Sequence, residues 1–366
     1  MARFWQPSLL REEDIDELVA LSQLQPGKAG AFTPAYVYWL RNANPAGLGQ
    51  VGVAKEKSTG KILGVKWFVP VRMQVGDEEV LGAHSLYVLV HPDYRGKGIF
   101  TGLVPFCSEE THQRGVEFSY GLPNTLSFPR FVHRLGWSHI GDAHLYIRPM
   151  KMERLIVRRF GQGIFQQSIA AASHIGWRVF LRSRPPAPEA DGITITEIDT
   201  QHEALDDFWG RVRGKYPIMV CRDSRFLHWR YTQIPDREYL ILAGWYRGLV
   251  VATIILRNVS VEGILNGMIV DFLVEPSPAG NLAGDALLRR AIQYFEHSDV
   301  DQAGCLTLPV AKERKLLVRQ GFVRCPVKLL PRPLPVILQV NGNKPSRRGL
   351  HHFDSWFLTL GDFDAV

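Results

Sequence analysis

Hydrophobic and polar positions in the first part of the chain predict helices first, then an antiparallel meander, then alternating strands and helices. Residues 11–24 have the pattern of an amphipathic helix, and Pro/Gly punctuation separates them from a second helix around Ala35–Asn42. The strands predicted next are QVGVAKE at 50–56, ILGVKWFVPVRM at 62–73 and VLGAHSLYVLV at 80–90. The elements predicted after them are a helix at Ile99–Gln113, a short strand at Val116–Gly121 and a short helix at Phe128–Leu135. This order is typical of an α/β layered domain.

The second half of the chain repeats landmarks of the first half in the same order. In each half a Trp precedes a Pro by six residues, and a later apolar run ends in another Pro. The matched pairs are Trp39 with Trp229, Pro45 with Pro235, VLVHP at 88–92 with FLVEP at 272–276, and RFVHRLGW at 130–137 with KLLVRQGF at 315–322. Matching order and nearly matching spacing predict a duplicated domain.

The region between the two repeats has a different composition. Residues 148–184 hold eight basic residues against one acid, Glu153, and RSRPPAPEADG at 182–192 has the composition of a linker. We therefore predict a first domain at 1–150, a basic helical connector with a Pro-rich linker at 151–192, and a second domain at 193–366. An amphipathic helix at 151–184 would either make peripheral contact with an anionic membrane or pack the domains together, and packing is favoured.

Length, charge and cysteine usage limit the class of protein. A chain of 366 residues is long enough for two domains. The net charge of +7 suits an anionic partner, which can be a nucleic acid, a membrane surface or a phosphorylated cofactor. The sequence predicts neither a membrane span nor a signal peptide. The four cysteines are scattered without CxxC spacing, so no zinc site or disulfide framework is predicted, and a cytoplasmic location fits best.

The stretch HPDYRGKGIF at 91–100 joins the third predicted strand to a predicted helix. A helix that begins directly after a strand exposes its first N–H groups, which together with the helix dipole favour an anion. Gly96 and Gly98 remove side chains, so a phosphate can approach the backbone, and Arg95 and Lys97 add positive charge. The stretch therefore predicts a phosphate cradle, with an ordinary surface turn as the alternative.

This stretch resembles the acyl-CoA pyrophosphate loop of the GCN5-related N-acetyltransferase (GNAT) superfamily. The family pattern is Arg/Gln-x-x-Gly-x-Gly/Ala after a strand that ends in Val-x-Pro, and Arg95, Gly98 and Phe100 fill its three positions. Phe100 departs from the pattern, because the family has a small residue there. The resemblance covers 1–150 well. It implies an α/β fold of two GNAT-like layered domains, each a mixed, mostly antiparallel sheet flanked by helices, of which 193–366 is a degenerate copy.

The resemblance also implies a donor site and its residues. The cosubstrate would be acetyl-CoA, with no metal. The residues expected to contact it are Leu89, Val90, Arg95, Gly96, Lys97, Gly98, Ile99, Phe100 and Asn124. In the second copy Ala279 and Leu282 replace the motif Arg and Gly, and Pro278 removes a backbone donor, so no CoA is expected there.

Catalytic candidates follow from the same resemblance. Some family members have a base eleven residues before the motif Arg, and His84 occupies that position here, with a structural histidine as the alternative. The position of the family's usual general-acid Tyr is Val132. Tyr120 is therefore a weak candidate acid, beside Tyr87 and His133. His351-His352 lacks a third metal ligand at recognisable spacing, and Cys107 is interpreted as a buried structural residue.

The leading functional hypothesis is an N-acyltransferase that moves an acetyl or short acyl group from CoA to a primary amine of a small acceptor. An amino sugar of a surface-polysaccharide pathway is the acceptor that the resemblance suggests. One alternative is an aminoacyl-tRNA-dependent transferase of the peptidoglycan-bridge type. Another is a non-catalytic acyl-CoA-binding module. No DNA-binding motif is present, so DNA is not an expected partner.

Overall fold

The computed structural model describes residues 3–25, 32–160, 175–177, 179–181, 183, 191–261, 263–330, 332–341 and 349–363, with side chains at 159 and 160 left aside. Its helices are α1 Ile15–Gln23, α2 Pro34–Arg41, α3 Ile99–His112, α4 Met152–Phe160, α5 Ala204–Val212, α6 Ser224–Leu227, α7 Pro278–His297 and α8 Arg314–Arg319. Its strands are β1 Trp5–Leu9, β2 Gln50–Glu56, β3 Ile62–Val75, β4 Glu78–Val90, β5 Phe118–Gly121, β6 Ser138–Asp142, β7 His144–Pro149, β8 Ile193–Glu197, β9 Ile218–Val220, β10 Leu240–Tyr246, β11 Leu249–Val261, β12 Ile264–Val274, β13 Gln302–Thr307, β14 Val323–Arg324, β15 Pro335–Val340 and β16 Trp356–Phe357.

The strands form two mixed sheets in which antiparallel pairs predominate. The first has the order β1-β2-β3-β4-β5-β15-β6, with β9 paired to β3 and β16 paired to β9, and the second has the order β14-β7-β13-β12-β11-β10-β8. In both sheets a long hairpin precedes a helix that returns the chain to a parallel neighbour, β5 beside β4 and β13 beside β12. The predicted fold class, two mixed sheets flanked by helices, is confirmed.

Most of the elements predicted in the first part of the chain lie where the pattern put them. Helix α2 begins one residue before its predicted start because Thr33 caps it, its hydroxyl accepting from Tyr36 N–H at 3.1 Å, with Pro34 at the first helical position. The short helix predicted at Phe128–Leu135 is a π-helical turn at Arg130–Arg134. Strand β1 was not predicted.

Among the described residues, four strands lie in the sheet of the opposite half of the chain. β7 pairs with β13 and β14 in the second sheet, whereas β9, β15 and β16 belong to the first, where β15 lies between β5 and β6. The sheets therefore divide the chain differently from the predicted boundaries at 150 and 193, which remain predictions. This exchange ties the two halves together through backbone hydrogen bonds.

A pair of tryptophans joins the halves at the centre of the largest hydrophobic cluster. The rings of Trp39 and Trp229 stack with centroids 4.9 Å apart. Trp39 Nε1 donates to Trp229 O at 2.7 Å, and Trp229 Nε1 donates to Trp39 O at 3.1 Å. Both side chains are buried, so the repeated tryptophans anchor the core between the halves.

The part of the basic connector that the structure describes faces acids of the second half. Arg154 Nη1 lies 2.8 Å from Asp299 Oδ2, and Lys151 also pairs with Asp299. These pairs favour packing of the connector on the second half over contact with a membrane. The described residues do not include 161–174, most of the linker or the side chains of four of the eight basic residues. Within the described ranges, no helix is long and apolar enough to cross a membrane, and no group of three metal-ligating side chains is found, so His351-His352 stand without a third ligand there.

The tryptophan pair generates a stability prediction. Replacement Trp39→Ala should lower the free energy of unfolding by about 3–5 kcal/mol, because it removes a buried ring and leaves Trp229 O without the Nε1–H donor of Trp39. The matched control is Tyr38→Ala on the same helix, whose side chain is 62% exposed and should change stability by less than about 0.5 kcal/mol. Urea unfolding measures both variants. Equal losses in the two would show that the pair does not hold the halves together.

Candidate functional site

The loop between β4 and α3 owes its shape to its two glycines. A 3₁₀ turn at Pro92–Tyr94 follows β4, and Gly96 and Gly98 both have φ of +78°. Residues other than glycine rarely adopt this left-handed backbone conformation. Gly98 is the N-cap of α3, and nothing lies within 4 Å of the position that a Cβ would take at either glycine. The backbone is therefore open on the side where an anion would approach.

The donors of this loop have few protein partners. Among the described hydrogen bonds, none is donated by the backbone N–H groups of residues 96–100. Arg95 donates from Nη2 to Gln25 Oε1 at 3.0 Å, and Lys97 Nζ lies 4.7 Å from the ring centroid of Tyr94. Neither cation forms an ion pair with a described carboxylate. The start of a fourteen-residue helix and two such cations fit a pyrophosphate group.

A bulge in β4 opens the first sheet beside this loop. The pairing between β3 and β4 shifts at Tyr87, which has φ of +24°, and the parallel pairing between β4 and β5 ends at His84 with Tyr120. Beyond that pair, β4 presents backbone groups that β5 does not bind. Bulges of this kind redirect a strand and end its pairing. The unpaired stretch between the two strands, from Ser85 to the glycine loop, is called the gap below.

The backbone of Val90 faces this gap, whereas that of Leu89 faces β3. His91 N–H donates to Leu63 O at 2.8 Å, so by alternation Leu89 is on the β3 side and Val90 is on the open side. Gln25 Nε2 donates to Val90 O at 3.1 Å, which agrees with that assignment. Of the two predicted backbone donors, geometry favours Val90.

The remaining predicted donor-site residues lie in the first turn of α3 and in the turn that begins at Asn124. Ile99 is buried. The ring of Phe100, the residue that departs from the family pattern, packs edge-on against Phe131 with centroids 5.2 Å apart, and these two rings are called the aromatic wall below. Asn124 is exposed, and its Oδ1 accepts from the N–H groups of Leu126 and Ser127 at 3.1 and 2.9 Å. Asn124 therefore closes the turn that precedes the π-helical turn.

His84 and Tyr120 lie together on the opposite face of the first sheet, between the two halves of the chain. Their rings stack with centroids 5.4 Å apart, and Tyr120 Oη donates to Asp362 O at 3.2 Å. Both line a cavity of about 30 Å³, which is enough for about one water molecule. Burial, followed by the charges of Lys66 and Arg230, lowers the pKa of His84 to about 3.

The chemical capacity of these two candidates follows from their burial. An imidazole with a pKa of about 3 is a weak proton acceptor at neutral pH. Burial raises the pKa of Tyr120 well above its ordinary value, so its phenol is a weak acid. Their catalytic roles remain predictions.

Sequence reasoning missed a buried cation next to the gap. Lys66 is fully buried in β3, and its Nζ donates to Ser85 Oγ at 2.6 Å and to Leu86 O at 2.8 Å. The available signal was a single lysine inside the apolar run ILGVKWFVPV. A run of this kind predicts a strand buried on both faces, where an unpaired lysine is unusual.

The corresponding loop of the second half is closed. Ser277 caps α7 by accepting from Gly280 N–H at 3.0 Å, and Pro278 occupies the first helical position. A Cβ at Gly280 would lie 2.2 Å from Glu275 O, and the Glu275 carboxylate pairs with Arg211 at 3.0 Å. A negative carboxylate and a missing donor favour the prediction that this half binds no CoA.

Comparisons with known proteins agree with this geometry. Residues 7–140 match the family model described as an acetyltransferase (GNAT) domain. Among solved structures, a GCN5-related N-acetyltransferase from Anabaena variabilis is 13% identical with a TM-score of 0.61, covering 92% of this chain and 72% of that one. N-myristoyltransferase from Saccharomyces cerevisiae with bound myristoyl-CoA is 11% identical with a TM-score of 0.62, covering 94% and 81%.

A probable N-acyltransferase from Enterococcus faecalis is 13% identical with a TM-score of 0.62, covering 92% of this chain and 72% of that one. Identities this low show a shared fold, and in these three structures that fold extends over both halves of the chain. No curated protein matches the chain.

The environment of His84 predicts a pH dependence of stability. Its pKa is about 3 in the folded protein and about 6.5 when unfolded, so below pH 6.5 the unfolded chain binds a proton that the folded protein does not bind. Stability should therefore fall with decreasing pH more steeply than in His84→Phe, by up to about 1.4 kcal/mol per pH unit. Urea titrations at pH 7, 6 and 5 measure this slope. Parallel curves for the two proteins would refute the assignment of a neutral buried imidazole.

Proposed function

Residues 7–140 match the family model of an acetyltransferase (GNAT) domain, and we propose that this chain is an enzyme that transfers an acetyl or other short acyl group from CoA to the primary amine of a small acceptor. The observation that carries the proposal is the loop at 91–98. Its two left-handed glycines leave backbone donors open at the start of α3, between the unpaired charges of Arg95 and Lys97. A cytoplasmic location is part of the proposal, because the cosubstrate is an intracellular metabolite.

Different residues along the gap in the sheet would bind different parts of acyl-CoA. The loop and the first turn of α3 hold the pyrophosphate, and the open edge of β4 holds the arm that carries the thioester. When bound, acyl-CoA supplies an activated acyl group. The N–H of Val90 or of the bulge near Tyr87 would donate to the thioester oxygen as negative charge develops on it. The attacking amine must be neutral, so a proton has to leave it before or during attack.

The acceptor would approach from the face of the sheet opposite α3. The residues on this face come from both halves, because Tyr87 of the bulge contacts Tyr36 of α2 through their hydroxyls at 3.1 Å, and α2 packs on the second half through Trp39. A degenerate second half that binds no CoA is then explained as a wall of the acceptor site. An amino sugar remains the proposed acceptor on the strength of the family resemblance.

The aromatic wall would affect the length of the acyl chain that the site can hold. Phe100 replaces a small residue and packs on Phe131 beside the gap. Acetyl is the proposed acyl group. Competition between acetyl-CoA and longer acyl-CoA esters for one site would show whether the wall admits longer chains.

Calorimetric titration with acetyl-CoA tests the proposal directly. The wild-type protein should bind, and Arg95→Ala should weaken binding by about 1–3 kcal/mol if the guanidinium meets the pyrophosphate. The matched control is Arg114→Ala, which removes the same charge at the far end of α3 and should leave the dissociation constant unchanged. Equal effects of the two substitutions would point to a general electrostatic contribution and refute the loop assignment.

Two other outcomes would replace the proposal by its alternatives. Binding of aminoacyl-tRNA with steep salt dependence, without binding of acetyl-CoA, would favour the tRNA-dependent transferase. Binding of acetyl-CoA without turnover over a broad panel of amines, amino sugars included, would favour the non-catalytic module.

A further inference from the structure

A buried lysine and a serine meet where the gap in the first sheet begins. Lys66 comes from β3 and Ser85 from β4, and Lys66 Nζ is 2.6 Å from Ser85 Oγ. Ser85 follows directly after His84, the last residue of β4 that pairs with β5. Gly121 of β5 faces Ser85 closely: a Cβ there would lie 3.1 Å from Ser85 O and 3.3 Å from Ser85 Cβ, so a larger residue would press on this part of β4. Ser85 is partly exposed, whereas Lys66 is fully buried behind it.

The pair lies on the face of the sheet that the donor occupies in the proposed function. Lys66 Nζ is 4.4 Å from the ring centroid of Phe68 and 5.5 Å from that of Phe131. Phe131, Val88 and Val90 belong to the same hydrophobic cluster, which packs under α3. His84 and Tyr87 point to the other face. The Ser85 hydroxyl therefore lies on the α3 face of the sheet, five residues before Val90 on the strand that leads into the glycine loop.

The surroundings of Lys66 leave its ammonium without a counter-ion. Within the described residues it forms no ion pair with a carboxylate, and the titratable groups that act on it are Cys107 of α3 on its own face and His84 across the sheet. Burial lowers the pKa of Lys66 to about 7, so both protonation states are present at neutral pH. A cation kept in an apolar site without a partner is costly for a fold.

We propose that the Ser85 hydroxyl is the acid that protonates the departing thiolate of CoA and that Lys66 positions this hydroxyl and returns its proton. This inference rests on the proposed function. As the new carbon–nitrogen bond forms, the carbon–sulfur bond breaks and its electron pair goes to sulfur. Sulfur takes the hydroxyl proton of Ser85, and Ser85 takes a proton from the Lys66 ammonium, which becomes a neutral amine. Lys66 is reprotonated from solvent once the products have left, and the proton lost by the attacking amine goes to solvent.

The two other positions considered for this acid, Val132 and Tyr120, are less suitable. Val132 occupies the position of the Tyr that serves as acid in similar proteins, and a valine cannot donate a proton. Tyr120 is buried on the other face and already donates to Asp362 O. The competing explanation is that Lys66 only satisfies Leu86 O at the bulge. That explanation requires no hydroxyl on Ser85, so the two can be separated by experiment.

A matched pair of substitutions tests the hydroxyl. Ser85→Thr keeps it and Ser85→Val replaces it with a methyl group of nearly the same shape. The proposed proton relay, from Lys66 through Ser85 to sulfur, predicts that kcat with acetyl-CoA falls about 100-fold or more in Ser85→Val. In Ser85→Thr kcat should stay within a few fold of the wild-type value, and KM for acetyl-CoA should be unchanged in both. Wild-type kcat should decline above pH 7, as the Lys66 ammonium loses its proton, and Lys66→Met should lower kcat as Ser85→Val does and abolish this decline. Equal kcat values in the two Ser85 variants would overturn the relay while leaving the proposed function intact.

A binding measurement with CoA itself needs no acceptor. The hydrogen bond from Ser85 and the charge of Lys66 should also lower the pKa of the thiol of bound CoA, although the thiol must remain a weaker acid than the Lys66 ammonium for the proton to pass to sulfur. The ultraviolet thiolate absorption of the CoA complex, taken as a difference from the desulfo-CoA complex, should therefore appear at lower pH than for free CoA. Lys66→Met and Ser85→Val should lose this shift while binding desulfo-CoA as wild type does. An unshifted thiol in the wild-type complex would overturn the relay, and failure of CoA to bind would overturn the proposed function with it.

Discussion

The candidate site depends on one interruption of a hydrogen-bond ladder. Tyr87 is an extra residue in β4, and the strand stops pairing with β5 three residues before it. A closed sheet would offer no passage through its centre, because every backbone donor and acceptor would be used. The interruption leaves such groups facing a gap, and the same strand carries the chain into the glycine loop. The cradle at one end and the Lys66–Ser85 pair at the other are therefore held in a fixed relation by β4.

The second half of the chain supports this strand from the side opposite α3. Trp39 and Trp229 stack and exchange hydrogen bonds, and buried ion pairs such as Arg222 with Asp271 and Asp362 hold the C-terminal segment against them. Phe363 from that segment reaches the ring of His84. The environment that lowers the pKa of His84 is thus made by residues far apart in sequence. The first sheet without these residues would leave this histidine open to water.

Local signals made much of the fold predictable. Period-two alternation and turn residues located β2, β3 and β4, and the Pro92-to-Gly98 stretch located the start of α3, because these features act over a few residues. The exchange of β7 and β15 was not predictable in this way, since β15 pairs with strands more than half the chain away. The burial of Lys66 and the stacking of His84 on Tyr120 depend on such long-range packing. Residue type indicated that His84 could titrate, but its pKa in the folded protein is determined by its surroundings.

The position of β15 has a consequence for the order in which the protein can fold during synthesis. Strands β5 and β6 are made early, but the strand that lies between them is made near the end of the chain. At about 5–20 residues per second, the ribosome completes β15 roughly 10–45 s after β5. Until then the edge of β5 that β15 covers in the folded protein stays open, and open edges readily pair with other chains. Completion of the first sheet therefore waits for translation of β15.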